Sequence, residues 1–302
     1  MKNALAGILP VLPTPFTATG AVDRAAMAGL VGYARQAGVG GVVFPGFASE
    51  VEHLSGDERR VLLAEVVQAA GGAFPVVAGA SAETAAEAIA HGQVARDLGV
   101  AWLMIQPPKA IGATAEAVTA FFAEIAAALP EARIVLQNAP APRGSDLSPD
   151  TILRVVRAIP QIVYVKEETL PAGPAITAIL ADRPAHLLGV IGGGGARYIL
   201  DEYTRGACAA MPALEIAGEH VAMDRAWRAG DRAAARDLYV RTLPLLTLQA
   251  VYRMRLTKHT MMRRGVMDTA VVRAPTPEMD AIAMADIDAN LAELGVLDAI
   301  PA

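Results

Sequence analysis

From residue 7 to about residue 230 the chain repeats one unit eight times: a short apolar segment, then an alanine-rich stretch of helical period, at roughly 30-residue spacing. The apolar segments fall at 7–12, 39–44, 75–79, 101–106, 133–137, 162–166, 186–191 and 206–211. Helical patterns lie near 24–38, 56–71, 82–98, 114–129, 149–158, 172–182, 195–204 and 214–229. Strand-then-helix repetition of this length predicts an α/β fold, a (β/α)8 TIM barrel. An open doubly wound sheet is the competing arrangement, but the Gly-x-Gly-x-x-Gly fingerprint that would favour it is missing after the first strand. Beyond residue 230 the pattern turns to helices alone, near 231–250, 252–264 and 278–292, interrupted by Pro275 and Pro277. No linker-like composition precedes them, so the expected organisation is a barrel over 1–230 with a C-terminal helical extension over 231–302 packed on it.

Hydrophobic residues make up 54% of the chain, ample for such a core, and the net charge of −5 gives no reason to expect nucleic-acid binding. Basic residues are scattered except at Arg253, Arg255, Lys258, Arg263 and Arg264, whose helical spacing reads as a solvated or subunit-facing helix. Cys208 is the single cysteine, which fits a reducing compartment. Pro10, Pro13 and Pro15 break the early apolar run before a signal-peptide core could form, and no apolar run is long enough to span a membrane. A cytoplasmic protein with no membrane partner is the expectation.

Lysine is rare: there are four, against 22 arginines, and Lys166 ends the strand-like run Ile162-Val163-Tyr164-Val165. Alternation along a strand puts Ile162, Tyr164 and Lys166 on one face. A buried ammonium without a partner tends to lose its proton, and a neutral amine at a strand end is the starting point for Schiff-base chemistry. A structural ion pair with Glu167 or Glu168 is the competing reading.

In a barrel the site lies at the C-terminal ends of the strands. The second strand ends in Pro45-Gly46-Phe47-Ala48-Ser49-Glu50. Its amides could bind a carboxylate, or it could be a tight turn capped by Ser49. Lys109, after the fourth strand, could meet an anion or sit in solvent. Gln137 and Asn138 end the fifth strand, where amides either face a ligand or satisfy the backbone. After the seventh, the run Gly192 to Gly195 exposes amides suited to a carboxylate, a hydroxylated chain or a phosphate, or forms a hinge. It lacks the Gly-Lys-Ser/Thr ending of a nucleotide-binding loop. His53, His91, His186, His220 and His259 form no metal-ligand pattern, and no metal is expected.

Taken together, GILPVLPTPF at 7–16, GFASE at 46–50, QNAP at 137–140, YVKEE at 164–168 and the glycine run at 192–195 resemble the dihydrodipicolinate synthase/N-acetylneuraminate lyase family, from about residue 5 to the C-terminus. The resemblance implies a TIM barrel with a C-terminal helical extension, assembled as a homotetramer, a dimer of dimers. It implies a lysine, here Lys166, that forms an imine with pyruvate or another 2-oxo acid and needs no separate cofactor. It implies that the family's Gly-Thr-Thr-Gly-Glu loop, which binds the 2-oxo acid carboxylate, falls on Gly46, Phe47, Ala48, Ser49 and Glu50. Both loop threonines are replaced, by Phe47 and Ala48, and Gln137 stands where the family carries its proton-relaying tyrosine. A second tyrosine, lent by a neighbouring subunit, is lost near Lys109, and the arginine some members use is displaced to Arg143 behind Pro142.

An amide such as Gln137 cannot serve as acid or base near pH 7. With Gln in this position the resemblance is to the family's 2-keto-3-deoxy sugar acid dehydratases and aldolases, which implies a lyase that cleaves or condenses a C–C bond or dehydrates such an acid, with Lys166, Gln137 and Glu50 as the catalytic set. Gly46 to Ser49, Asn138, Lys109, Glu168, Gly193 and Gly194 would contact substrate. Glu50, Glu168, Lys109, the substrate carboxylate or a water held by Gln137 and Asn138 could carry the proton. An authentic dihydrodipicolinate synthase, a non-catalytic 2-oxo acid sensor and a phosphate-binding barrel enzyme are the alternatives.

Overall fold

The computed structural model describes residues 4–296. In chain order the elements are β1 (Gly7–Ile8), α1 (Arg24–Ala37), β2 (Val42–Phe44), α2 (Gly56–Ala70), β3 (Val76–Gly79), α3 (Ala85–Asp97), β4 (Trp102–Ile105), α4 (Ala115–Ala128), β5 (Arg133–Asn138), α5 (Pro149–Ala158), β6 (Ile162–Glu167), α6 (Ala172–Ala181), β7 (Gly189–Gly192), α7 (Ile199–Thr204), β8 (Ala209–Ala210) and α8 (Ala217–Arg228). Three further helices follow: α9 (Arg232–Tyr252), α10 (Met254–Arg263) and α11 (Ala281–Glu293). The eight strands belong to one sheet, in which β3 to β8 follow one another in sequence order. That is (β/α)8 topology with a C-terminal helical extension, as the eightfold repeat predicts.

The chain divides into two compact units. The first holds β3 to β8, residues 75–194 and 198–211, together with the N-terminal residues through Ala6. Its ladders are parallel, and their registers fix the site: Gln137 lies beside Lys166, Asn138 beside Glu167, and Glu167 beside Gly192. The strands are buried on both faces, which is why they read as unbroken apolar runs. Tyr164 accepts a hydrogen bond from the Leu5 amide at 3.1 Å and packs on Trp102 with ring centroids 5.7 Å apart.

The second unit holds Gly7–Phe74, Gly195–Arg197 and the residues from Pro212 onward. Within it Val11 bridges both Val43 and Ala213 in parallel. The strand expected over 7–12 is regular only at Gly7–Ile8, because Pro10 has no N–H to continue the ladder; its carbonyl still accepts from Val43 at 3.0 Å. The extension packs on a buried cluster of Ile216, Leu245, Leu246, Leu256, Ile287 and Leu291. α9 and α10 meet at Arg253, whose φ of 48° ends the first helix.

Helix starts follow capping chemistry. Asp23, Thr84, Thr114 and Ser148 each accept a backbone N–H at an N-cap, and Ser55 with Glu58 forms a capping box. One start was misplaced: α7 begins at Ile199 and not near 195, because Gly194, Gly195 and Ala196 all take positive φ (55°, 67° and 63°).

Candidate active site

Strand alternation turns Lys166 to the same face as Tyr164, and the β5–β6 register sets Gln137 next to it. Lys166 is 3% exposed, and its Nζ lies 3.2 Å from Glu168 Oε1. The other oxygen of Glu168 accepts from Gln137 Nε2 at 2.7 Å and from Arg143 at 3.2 Å. Burial pulls the Lys166 amine below its ordinary pKa, and Arg143 adds to the fall; the pull of Glu168 the other way does not offset them. Burial alone would raise Glu168, but the charges of Lys166 and Arg143 and the Gln137 hydrogen bond hold its carboxyl down at about 2. The result is an amine inclined to be neutral, touching a carboxylate inclined to be ionised. That combination can add to a carbonyl and accept a proton beside it.

The residues of opposite parity do other work. Asn138 donates to the Leu147 carbonyl at 3.0 Å and to Glu167 Oε2 at 2.9 Å, and accepts from the Leu147 amide at 2.9 Å. Glu167 also accepts from the Thr169 amide at 2.7 Å and from its hydroxyl. The Asn138 amide is satisfied by Glu167 and by the loop that follows β5.

Two glycines at the end of β7 are required by crowding. A Cβ on Gly193 would lie 2.4 Å from Glu168 Cγ, and one on Gly192 only 1.9 Å from Glu202 Oε2. Glu202, on α7, is 1% exposed and bonded to the Gly193 amide; burial and then the Glu168 charge raise its carboxyl to about 8. The Gly193 N–H is thus occupied within the protein, and Gly194 is half-buried.

In the second unit the loop after β2 is a 310 turn, Phe47–Ser49, closed by Ser49 N–H to Gly46 O at 2.9 Å and Glu50 N–H to Phe47 O at 3.0 Å. The Ser49 hydroxyl accepts from the Gly46 amide at 2.9 Å and donates to the Leu12 carbonyl at 2.5 Å. Ser49 is wholly buried, and its hydroxyl shapes the turn, the second of the two readings open to this segment. Glu50 is 2% exposed. Its Oε2 accepts from the Arg273 and Ala274 amides at 2.6 and 2.7 Å, and its Oε1 pairs with Lys258. A carboxylate tied to three donors is a holding group, not a proton carrier.

Phe47 and Ala48 are partly exposed, as a ligand-facing loop needs, and Gly46 is buried. Lys109 is exposed on the 310 turn Lys109–Ile111. His53 faces solvent as expected. Lys258 overturns the reading of the C-terminal basic residues as a solvated face, because it is fully buried. Among the described residues no group of three His, Cys, Asp or Glu side chains is placed to hold a metal, and no helix is long and apolar enough to cross a membrane. Sequence reasoning missed Glu202, Lys258 and Arg273, and treated Arg143 as displaced where it neutralises Glu168. The one usable signal was rarity, since Lys258 is among four lysines.

Comparison with known proteins places the residues in context. The model of the dihydrodipicolinate synthetase family matches residues 4–293. An L-2-keto-3-deoxyarabonate dehydratase of Azospirillum brasilense is 31% identical over 280 residues, 90% of this chain and 89% of that protein. A 4-hydroxy-tetrahydrodipicolinate synthase of Salinibacter ruber is also 31% identical, but over 178 residues, 59% of this chain and 58% of that protein. The crystal structure of a dihydrodipicolinate synthase from Rhodopseudomonas palustris superposes with a TM-score of 0.89 at 25% identity, covering 95% of this chain and 97% of that one.

Proposed function

Because this chain belongs to the dihydrodipicolinate synthetase family, we propose that it is a Schiff-base-forming lyase acting on a 2-oxo acid, with Lys166 as nucleophile and Glu168 as proton carrier. One observation carries this reading: a 3%-exposed lysine, inclined by burial to lose its proton, stands 3.2 Å from a carboxylate that Arg143 and Gln137 keep ionised. Of the proton carriers open to the sequence, Glu168 is the one whose oxygen touches the amine.

The proposed course is dehydration of a 2-keto-3-deoxy sugar acid. The Lys166 lone pair adds to C2, one amine proton passes to the carbonyl oxygen, and that oxygen takes a second proton from solvent and leaves as water, giving a protonated imine. Glu168 takes a proton from C3, giving an enamine. The enamine pair expels the C4 hydroxyl, which leaves as water with the proton returned by Glu168. Hydrolysis of the remaining imine frees Lys166. The amides of Phe47 and Ala48, in the loop that begins at Gly46, are proposed to bind the carboxylate, and Gly193 and Gly194 to border the hydroxylated part. Gln137 orients Glu168 and does not itself carry protons. The Azospirillum dehydratase, matched along most of both chains, supports dehydration over condensation.

A panel of 2-keto-3-deoxy sugar acids tests it, with product mass as the readout: one member should be consumed with loss of a single water. The second reading, condensation of pyruvate with aspartate semialdehyde, is favoured by the Salinibacter relative and is run in parallel. Turnover of neither set, by folded protein, contradicts a lyase of this kind. A homotetrameric assembly in the cytoplasm belongs to the same proposal, and analytical ultracentrifugation checks the assembly.

A further inference from the structure

Among the described residues Lys258 is the second buried lysine, and the chemistry proposed above does not use it. It lies on α10, fully buried, with its ammonium paired to Glu50 Oε1 and donating to the Val271 carbonyl at 2.7 Å. The same nitrogen sits 4.1 Å from the centre of the Phe16 ring, and the Arg273 guanidinium lies 4.2 Å from that centre. Glu50 carries the other half of the tie. Its second oxygen binds two successive amides, those of Arg273 and Ala274, and its backbone is held at φ 58°, ψ 40°, a left-handed conformation unusual for a glutamate. That residue ends the 310 turn Phe47–Ser49, and its carbonyl accepts from His53 at 2.8 Å. On the other side the turn is braced by Ser49 to Leu12 and by the Thr14 hydroxyl to the Ser49 carbonyl at 2.6 Å.

Stability alone is a poor reason for this arrangement. Burial drags Lys258 down to about 8 against the pull of Glu50, so the charged form is disfavoured where it stands. Replacing both members of such a pair by apolar side chains of similar volume is often neutral or stabilising. What an apolar side chain cannot do is fix a carboxylate, and through it a strained backbone, in one position.

We propose that Lys258 is a positioning residue for the Gly46–Glu50 loop: it holds Glu50, and through Glu50 the turn whose backbone receives the substrate carboxylate. Affinity for a 2-oxo acid then depends on a side chain of the C-terminal helices that never touches the substrate. The proposal rests on the reading above for what the loop binds, but not for what Lys258 does to the loop.

The experiment uses full-length protein, wild type and Lys258→Met, with two readouts. In hydrogen–deuterium exchange, the amides of Gly46–Glu50 should exchange roughly tenfold or more faster in the variant, while those of β6 and β7 are unchanged. In borohydride trapping with pyruvate, the half-saturating concentration should rise roughly tenfold or more, with the rate at saturation within about threefold of wild type. Hydroxyacetone, a ketone without a carboxylate, should be trapped equally by both proteins. Unchanged exchange in the loop overturns the proposal, as does an equal loss with hydroxyacetone, which marks general damage. If the wild type traps no 2-oxo acid, the functional reading falls, while the exchange data still decide the role of Lys258. Should Lys258→Met not fold, Glu50→Gln is used instead. It keeps the shape and removes the charge, and an unaltered loop in that variant overturns the proposal equally.

Discussion

Among the described residues there are two buried lysine–glutamate pairs, Lys166–Glu168 and Lys258–Glu50, and they are built for opposite ends. In both, burial lowers the lysine against the pull of its partner. The difference lies in the remaining partners. Lys258 also donates to a backbone carbonyl and faces an aromatic ring, and Glu50 is closed off by two backbone amides. In the other pair, Glu168 is paired with the Arg143 guanidinium and bonded by the Gln137 side-chain amide, and Glu168 itself is the amine's near contact. A buried ion pair surrounded by backbone is a fastening. One whose carboxylate keeps an oxygen on the amine itself is proposed as the reaction centre.

The largest test of that contrast is to delete each amine. Lys166→Ala should reduce kcat on the order of 10⁴-fold or more, since the nucleophile is lost, and steady-state rates on the identified substrate decide it. Lys258→Met should act mainly on KM. Next in size, Glu168→Gln should lower kcat by ~10²–10⁴-fold while imine trapping persists. Because Glu168 raises the Lys166 pKa, the same change should move the acid limb of trapping to lower pH.

Stability separates the pairs in a third way. Removing one partner of the sealed pair, as in Lys258→Met, should destabilise the fold by about 3–5 kcal/mol in urea unfolding at pH 7. The sign of its pH dependence follows from Lys258 at about 8: between that pH and the ordinary lysine pKa the unfolded chain holds a proton the folded one has released. Wild-type stability should therefore gain from this group as pH rises above 8, and Lys258→Met should lack the gain. The smallest effect is expected at Arg143, which lowers Lys166; Arg143→Gln should shift the acid limb of trapping to higher pH by less than about one unit.

How far the sequence reached can be seen in the same residues. The eightfold repeat put Lys166 and Gln137 at strand ends, and two-residue alternation put Lys166 on the face of Tyr164, because local period determines which way a strand residue points; that Gln137 lies beside Lys166 came from the register. That alternation also turns Asn138 away from Lys166, which its amide chemistry alone did not reveal. Lys258 was misread because it sits among arginines on a helix, and helical spacing says nothing about a partner in a loop early in the chain. Arg273 and Glu202 share that blind spot. Each meets its carboxylate or amide partner through tertiary packing, which leaves no periodic trace.

The most direct measurement is to reduce the protein with borohydride in the presence of a 2-oxo acid, digest it, and map the adduct among the four lysines by mass spectrometry. The account predicts a single modified peptide containing Lys166, with Lys258 untouched. An adduct on Lys258 or Lys109, or none with any 2-oxo acid on folded protein, would contradict it.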